Sequence, residues 1–398
     1  GVAAWTSYLL ASLLTDNYVY GLRRFPYTTD NTVNPLTWAD ADDTTADMSG
    51  GIAQSPLGFE FAGAWETHNL GEIWAVSLWE ARSRVIAQHG GDVSAGNEAM
   101  LGIVTDALFL TPLEPSFVAA RDALFDADCA AHACAHEQAL WEGFADRGLG
   151  YGAEASFGRA THVGVRESFE LPRLDVATVT VDDAAGNGSG WLDPGETASL
   201  VVELVNPWRE ATRNVASVNA TLSTSSPGVT ILDGTASYGP IPAGGAATGE
   251  PFTVAVDLAA ACGEPLRFTL EAVSALGAST AEFVVRTGRP TGPGVPVTLT
   301  RTVPGGLSIP EADARGASDV FAVSDDLRIA DLDFVVDELR HTAVGDLTIL
   351  LKGPSGFGTD LVFRPYDCVE FLGCALGLNA GDDLLATRID DESPNDLI

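Results

Sequence analysis

Residues 66–89 read ETHNLGEIWAVSLWEARSRVIAQH, and Leu70, Ile73, Trp74, Leu78, Ala81 and Val85 recur in them at three- and four-residue steps. That period lays one apolar stripe along a helix, which Gly90 stops. Working outward, a second helix is expected from an Asn97 N-cap through Met100, Leu101, Val104 and Leu108 to just before Pro112. A third is expected over 117–128. A fourth follows over 137–147, with Gly148 and Gly150 behind it. Such stripes bury one another as a small bundle with a shared core.

From about residue 172 the period changes to two. Segments 174–181, 199–205, 215–222, 229–232, 252–258, 266–274 and 280–286 read as short strands separated by Gly, Pro and Asp clusters. This pattern predicts an immunoglobulin-like β-sandwich over 171–287. The Pro/Gly-rich stretch 288–296 reads as a linker. A second β domain is expected over 297–398, with strands at 297–303, 320–323, 332–336, 347–351 and 360–363.

The 398 residues carry 55 acidic against 21 basic side chains, a formal net charge of -34. Such a polyanion is repelled by phosphate backbones and anionic lipid, which argues against nucleic-acid and membrane partners. At 46% hydrophobic the chain is too apolar to be disordered. No uninterrupted apolar run approaches the ~20 residues of a membrane helix. The apolar start, 2–14, is broken by Thr6, Ser7 and Ser12 and has no basic residue before it, so it reads as neither signal peptide nor anchor. The chain begins at Gly1 and stops at Ile398 inside what reads as an unfinished strand, so a piece of a longer protein is expected. Cys129/Cys134 and Cys368/Cys374 sit close in polar stretches and predict short disulfides of an oxidising compartment, with Cys262 left over.

A zinc peptidase helix needs HExxH, two histidines one turn apart with a glutamate base. The sequence approaches it twice. His132-Ala-Cys-Ala-His136 has the spacing without the glutamate, and His136-Glu137-Gln-Ala-Leu140 has the glutamate with Leu140 in place of the second histidine. A zinc site from His132, Cys134 and His136 stands against a disulfide-bearing loop before a helix. No Gly-rich serine nucleophile turn is present. In the middle region Asn187, Ser189, Asp193 and Glu196, with Gly190 between, follow the spacing of a calcium loop whose first position would be Ala185, a residue that cannot ligate. The competing reading is a Gly-rich hairpin turn.

Four ordered blocks carry a further signal: 18–38 (YVYGLRRFPYTTDNTVNPLTW), 68–79 (HNLGEIWAVSLW), 105–128 (TDALFLTPLEPSFVAARDALFDAD) and 141–152 (WEGFADRGLGYG). Together they resemble the C-terminal half of the fungalysin metallopeptidases, secreted thermolysin-like zinc endopeptidases that act on protein and peptide substrates. The resemblance implies that 1–170 is the mainly helical subdomain of such an enzyme. It also implies that the zinc ligands and general base lie upstream of Gly1, that His68 stabilises the transition-state oxyanion, and that Arg23 holds a substrate carbonyl. Arg24 stands one position away from that last role. Glu72 and Trp74 belong to the same motif and read as structural. One oxyanion donor contributes ~3 kcal/mol.

The last region, with 308–311 (SIPE), 332–346 (LDFVVDELRHTAVGD) and 388–392 (RIDDE), resembles the P domain (P/Homo B) of proprotein convertases, a β jelly roll. There Asp337, Asp346 and Asp390 are calcium candidates or turn caps, and His341 reads as structural. The whole is expected to be a piece of a secreted, extracellular zinc metalloendopeptidase, inactive by itself. Two rivals remain open: the tail of a P-domain-bearing subtilisin-like serine endopeptidase, and a non-enzymatic adhesion protein.

Overall fold

The computed structural model describes residues 23–41, 67–112, 115–155, 165–289, 297–309, 317–323, 332–341, 347–353, 358–363 and 383–389. A short 3-10 turn, Trp38–Ala41, precedes four α-helices: α1 (Thr67–Gln88), α2 (Val93–Leu110), α3 (Phe117–His132) and α4 (Glu137–Ala145). The apolar stripe of α1 is buried as its spacing predicts, through Leu70, Ile73, Val76, Ala81 and Val85, with Trp74 and Leu78 half-buried against the same core. Gly90 and Gly91 end the turn at φ of 69° and 85°, a left-handed conformation that glycine adopts without strain.

Helix α2 begins four residues before the expected Asn97 cap. Asp92 caps it instead, its carboxylate accepting from the N–H groups of Ser94 and Ala95. At 18 residues α2 is long and apolar enough, by length and composition, to cross a membrane. It buries Met100, Ile103 and Ala107 and leaves Leu101, Leu108, Phe109 and Leu110 exposed. Helix α3 runs one turn beyond its expected end, and α4 stops two residues short of its own.

Helices α1 and α4 cross at touching distance. A Cβ on Gly143 would lie 2.3 Å from the Ala81 Cα, so only glycine permits this approach. Aromatic rings fill the rest of the core: Phe125 stacks on Trp141 at 4.2 Å, Trp38 on Phe117 at 5.1 Å, and Trp74 meets Phe144 at 5.8 Å. Arg147, fully buried, pairs with Glu80 of α1 at 2.7 Å and donates to the carbonyls of Thr28, Asn34 and Leu36. It thereby pins the incoming segment onto the bundle.

A two-stranded ribbon, β1 (Glu154–Ala155) with β2 (Val165–Arg166), leads into two antiparallel sheets. Their strands are β3 (Asp175–Asp182), β4 (Thr197–Val205), β5 (Val218–Thr224), β6 (Val229–Asp233), β7 (Thr235–Tyr238), β8 (Ala246–Thr248), β9 (Phe252–Val256), β10 (Pro265–Ser274) and β11 (Gly277–Arg286). One sheet has the order β3-β4-β9-β6 with β8 on β4, the other β11-β10-β5-β7. Strands β7 and β8 were not expected, being only four and three residues long. Alternation does the sorting: Ala198, Leu200, Val202 and Leu204 of β4 face Leu266, Phe268, Leu270 and Ala272 of β10 in one shared core.

The sheets are joined tightly to the bundle. Trp208, from the β4–β5 connection, packs in the helical core and donates to the Pro172 carbonyl at 2.8 Å. Glu137 of α4, 1% exposed, accepts from the backbone N–H groups of Arg209 and Glu210. Beyond residue 296 the described strands pair as β12 (Phe334–Leu339) with β15 (Leu384–Ile389), and β13 (Thr348–Lys352) with β14 (Gly358–Phe363). Segments 297–303 and 320–323, expected as strands, carry none, and β15 went unread.

Candidate functional site

His68 is the second residue of α1, and Arg23 lies in the described segment that Arg147 pins to the same helix. The link between them is local and strong. Arg24 is buried, its backbone N–H donates to Glu72 Oε1 at 2.9 Å and its Nε donates to Glu72 Oε2 at 2.9 Å. Its Nη2 donates to the Asn69 carbonyl at 3.0 Å. Asn69 and Glu72 belong to the turn of α1 that follows His68. The backbone of Arg23 and Arg24 is therefore clamped within one helical turn of the His68 backbone. A charge-assisted, two-point contact of this kind fixes orientation as well as distance.

This also divides the labour between the adjacent arginines. Arg24 is consumed by the clamp. Arg23 is half-buried, and its charge acts on the Tyr27 phenol. Burial pushes the Tyr27 phenol up from its ordinary value, Arg23 pulls it back, and the Glu72 charge adds to the rise. Glu72, 2% exposed, is bound on both oxygens by Arg24, which fits its reading as a structural residue.

The other candidate residues lie elsewhere. In the β3–β4 connection Asn187 Nδ2 donates to Asp193 Oδ2 at 2.6 Å, Ser189 Oγ donates to the same oxygen at 2.8 Å, and the Asn187 N–H donates to Glu196 Oε1 at 3.0 Å. Asp183, absent from the sequence reading of this loop, accepts from the Gly190 N–H at 3.1 Å and from the Ser189 hydroxyl at 3.2 Å. Burial raises the Asp183 carboxyl, and the donors from Gly190 and Ser189 overcome it, so it titrates below the usual carboxylate value. Asp337 is exposed on β12; Asp346, Asp390, Cys368 and Cys374 lie outside the described residues. The His341 N–H donates to Asp383 at 3.1 Å.

A second constellation surrounds His136. Cys129 and Cys134 form a disulfide, so Cys134 is not available as the metal ligand that the His132-Ala-Cys-Ala-His136 spacing suggested. Cys262 is free and exposed. His132 closes α3 and His136 caps α4, so they are not one turn apart on a helix as that spacing implied. Their rings nevertheless meet edge to face at 5.0 Å. Asp128, His132 and His136 each offer a ligand atom within 4.8 Å of the others. Asp128 is the residue that sequence reading missed, although Asp128 and His132 stand four apart, on one face of a helix.

A family model for fungalysin metallopeptidases (M36) matches residues 3–153. The chain is 33% identical over 165 residues to the extracellular metalloproteinase mep of Aspergillus terreus, an alignment covering 38% of this chain and 22% of that protein. It is 35% identical over 146 residues to the extracellular metalloproteinase MEP of Pyricularia oryzae, covering 34% of this chain and 20% of that protein. The chain thus spans about a fifth of the length of these relatives. Among solved structures, a PapD-like domain of human CEP192 aligns at 14% identity and a TM-score of 0.17 over 26% of this chain and 79% of that chain, which assigns no fold. The segment that matches the fungalysin metallopeptidase model, residues 3–153, holds α1, the Arg24–Glu72 clamp and the Arg147–Glu80 pair.

Proposed function

We propose that residues 1–170 are the C-terminal subdomain of a secreted zinc metalloendopeptidase that hydrolyses peptide bonds in extracellular proteins. The names of the fungal relatives, extracellular metalloproteinases, support the compartment and the reaction class. The observation that carries the reading is the clamp from Arg24 to Asn69 and Glu72, which holds Arg23 beside the first turn of α1, where His68 resides. In this reading the His68 imidazole donates to the oxyanion that forms when the scissile carbonyl becomes tetrahedral. Arg23 holds a neighbouring substrate carbonyl. A donor that meets charge only in the transition state lowers the barrier without tightening substrate binding.

The family zinc does not fit the residues next to His68. HExxH is absent from the 398 residues, and Glu72 is saturated by Arg24. We assign its ligands to residues outside this chain. In the protein expressed from its whole reading frame, His68→Ala lowers kcat on casein about 10²–10³-fold with KM little changed. The 398-residue chain alone cleaves nothing. Unaltered kcat in the His68→Ala protein, or chelator-sensitive casein cleavage by the 398-residue chain, overturns the reading.

Residues 171–287 are read as an immunoglobulin-like module, supported by two antiparallel sheets around one core. Residues 297–398 are read as a P domain behind the 288–296 linker. Calcium is assigned to the loop of Asn187, Ser189, Asp193 and Glu196, with Asp183 supplying the oxygen that Ala185 cannot, and to Asp337, Asp346 and Asp390.

A further inference from the structure

We propose that Asp128, His132 and His136 form a binding site for one divalent transition-metal ion of the zinc class, which staples the end of α3 to the start of α4. Their donor atoms lie within 4.8 Å of one another. Two ligands on a tetrahedral zinc ion, with bonds of about 2.0–2.1 Å, stand roughly 3.3 Å apart, so side-chain adjustments of about an ångström complete the set. Two imidazole nitrogens and one carboxylate oxygen are the donors that zinc and its neighbours in the transition series prefer, with a water in the fourth position.

The charge balance points the same way. Asp128 is fully buried, yet among the described residues neither Arg nor Lys pairs with it. Its Oδ2 accepts the His136 backbone N–H at 2.9 Å, and its Oδ1 faces His136 Nδ1 at 2.7 Å. A buried carboxylate needs a compensating positive charge, and a divalent cation supplies it. With the ion on Nδ1, the opposite nitrogen of His136 carries the proton. Its partner is in place: His89 Nε2 lies 3.1 Å from His136 Nε2, the two rings stacked at 5.3 Å. An outer partner that fixes a ligating imidazole is a regular part of zinc sites.

The surrounding backbone is built to hold these groups still. Ala133 and Cys134 both adopt left-handed φ angles, 53° and 62°, and the Cys129–Cys134 disulfide closes this turn. Non-glycine residues accept such strain only where the surroundings enforce it. Gln88, the last residue of α1, donates to the Ala135 carbonyl at 2.6 Å, tying the end that carries His89 to the same turn. His68 lies at the other end of α1, about 30 Å away at 1.5 Å per residue. The inference therefore stands whether or not the peptidase reading holds.

The test titrates the 398-residue chain with zinc chloride by isothermal calorimetry, in millimolar calcium to occupy sites built of oxygen alone. One zinc per chain is expected, with a higher melting temperature in zinc than in chelator. Among the described residues the His132 side chain makes no hydrogen bond, and its carbonyl bond to the Ala135 N–H survives truncation, so His132→Ala should keep the wild-type circular dichroism and lose affinity at least 100-fold. His89→Ala should weaken binding about 10-fold, the usual effect of losing an outer-shell partner. No uptake at 100-fold molar excess, or unchanged affinity in a folded His132→Ala chain, overturns the proposal.

Discussion

The helical segment and the two-sheet region bury their polar groups by different rules. In the bundle, Arg24, Glu72, Glu80, Arg121, Asp128, Glu137 and Arg147 are all buried. Arg24 binds Glu72, Arg147 binds Glu80, Arg121 donates to backbone carbonyls, and Asp128 and Glu137 accept from backbone N–H groups. The facing sheets bury an almost wholly apolar set, Leu200, Val202, Leu204, Phe252, Leu266, Phe268 and their neighbours. Charges removed from water contribute little net stability but fix geometry, because a mispaired ion costs far more than a mispacked methyl. The sheets need only to be stable, whereas the bundle has segments to position: the Arg23–Arg24 turn against α1, and residues 28–36 against Arg147.

The strongest probe of this contrast is Arg147→Met, which strands Glu80 in the core. It should destabilise the bundle by about 3–5 kcal/mol, measured by calorimetry. A loss under about 1 kcal/mol would mean that the ion pair is not what holds the incoming segment. Burial already raises the Glu80 carboxyl against the opposing pull of Arg147, so in Arg147→Met the folded state gains affinity for a proton. Its deficit should shrink as the pH falls toward the carboxylate range. Leu200→Ala next hollows the sheet core, at about 2–5 kcal/mol. If the Trp208 and Glu137 junction couples the two regions, Arg147→Met and Leu200→Ala shift one common transition; separate transitions break that coupling.

Gly143→Ala tests close packing without charge. Its methyl meets the Ala81 backbone, and overpacking of this kind costs about 1–3 kcal/mol. The smallest effect is expected from Asp183→Asn in the β3–β4 loop. The folded Asp183 titrates below its unfolded value, so its contribution is complete above the unfolded carboxylate pKa and fades as pH falls through the folded one. Melting curves of the two proteins should therefore converge below about pH 4, near the ordinary carboxylate value. A gap that stays constant there would remove Asp183 from the loop's acid response.

Much of this was legible before any coordinates. The step of three and four in 66–89 gave α1, and alternation gave the long strands, because burial on one face leaves a periodic trace. Helix ends were read less well: Asp92 caps α2 where Asn97 was expected, since either residue can accept from a free first turn. Strands β7 and β8 are too short to leave a pattern. Segment 297–303 alternates and 320–323 is uniformly apolar, yet neither forms a strand, for neither pattern alone supplies a partner.

Sequence by itself carried the resemblance of residues 3–153 to the fungalysin metallopeptidases, through ordered blocks that no single spacing would specify. It could not choose between Arg23 and Arg24, adjacent and chemically alike. Tertiary structure gave Arg24 to Glu72 and left Arg23 outside that clamp. Nor could it bring His89 to His136, 47 residues apart, or exchange Cys134 for Asp128 as a metal donor. Side-chain periodicity reports which face is buried, but only the folded chain decides which buried groups meet, because that depends on contacts distant in sequence.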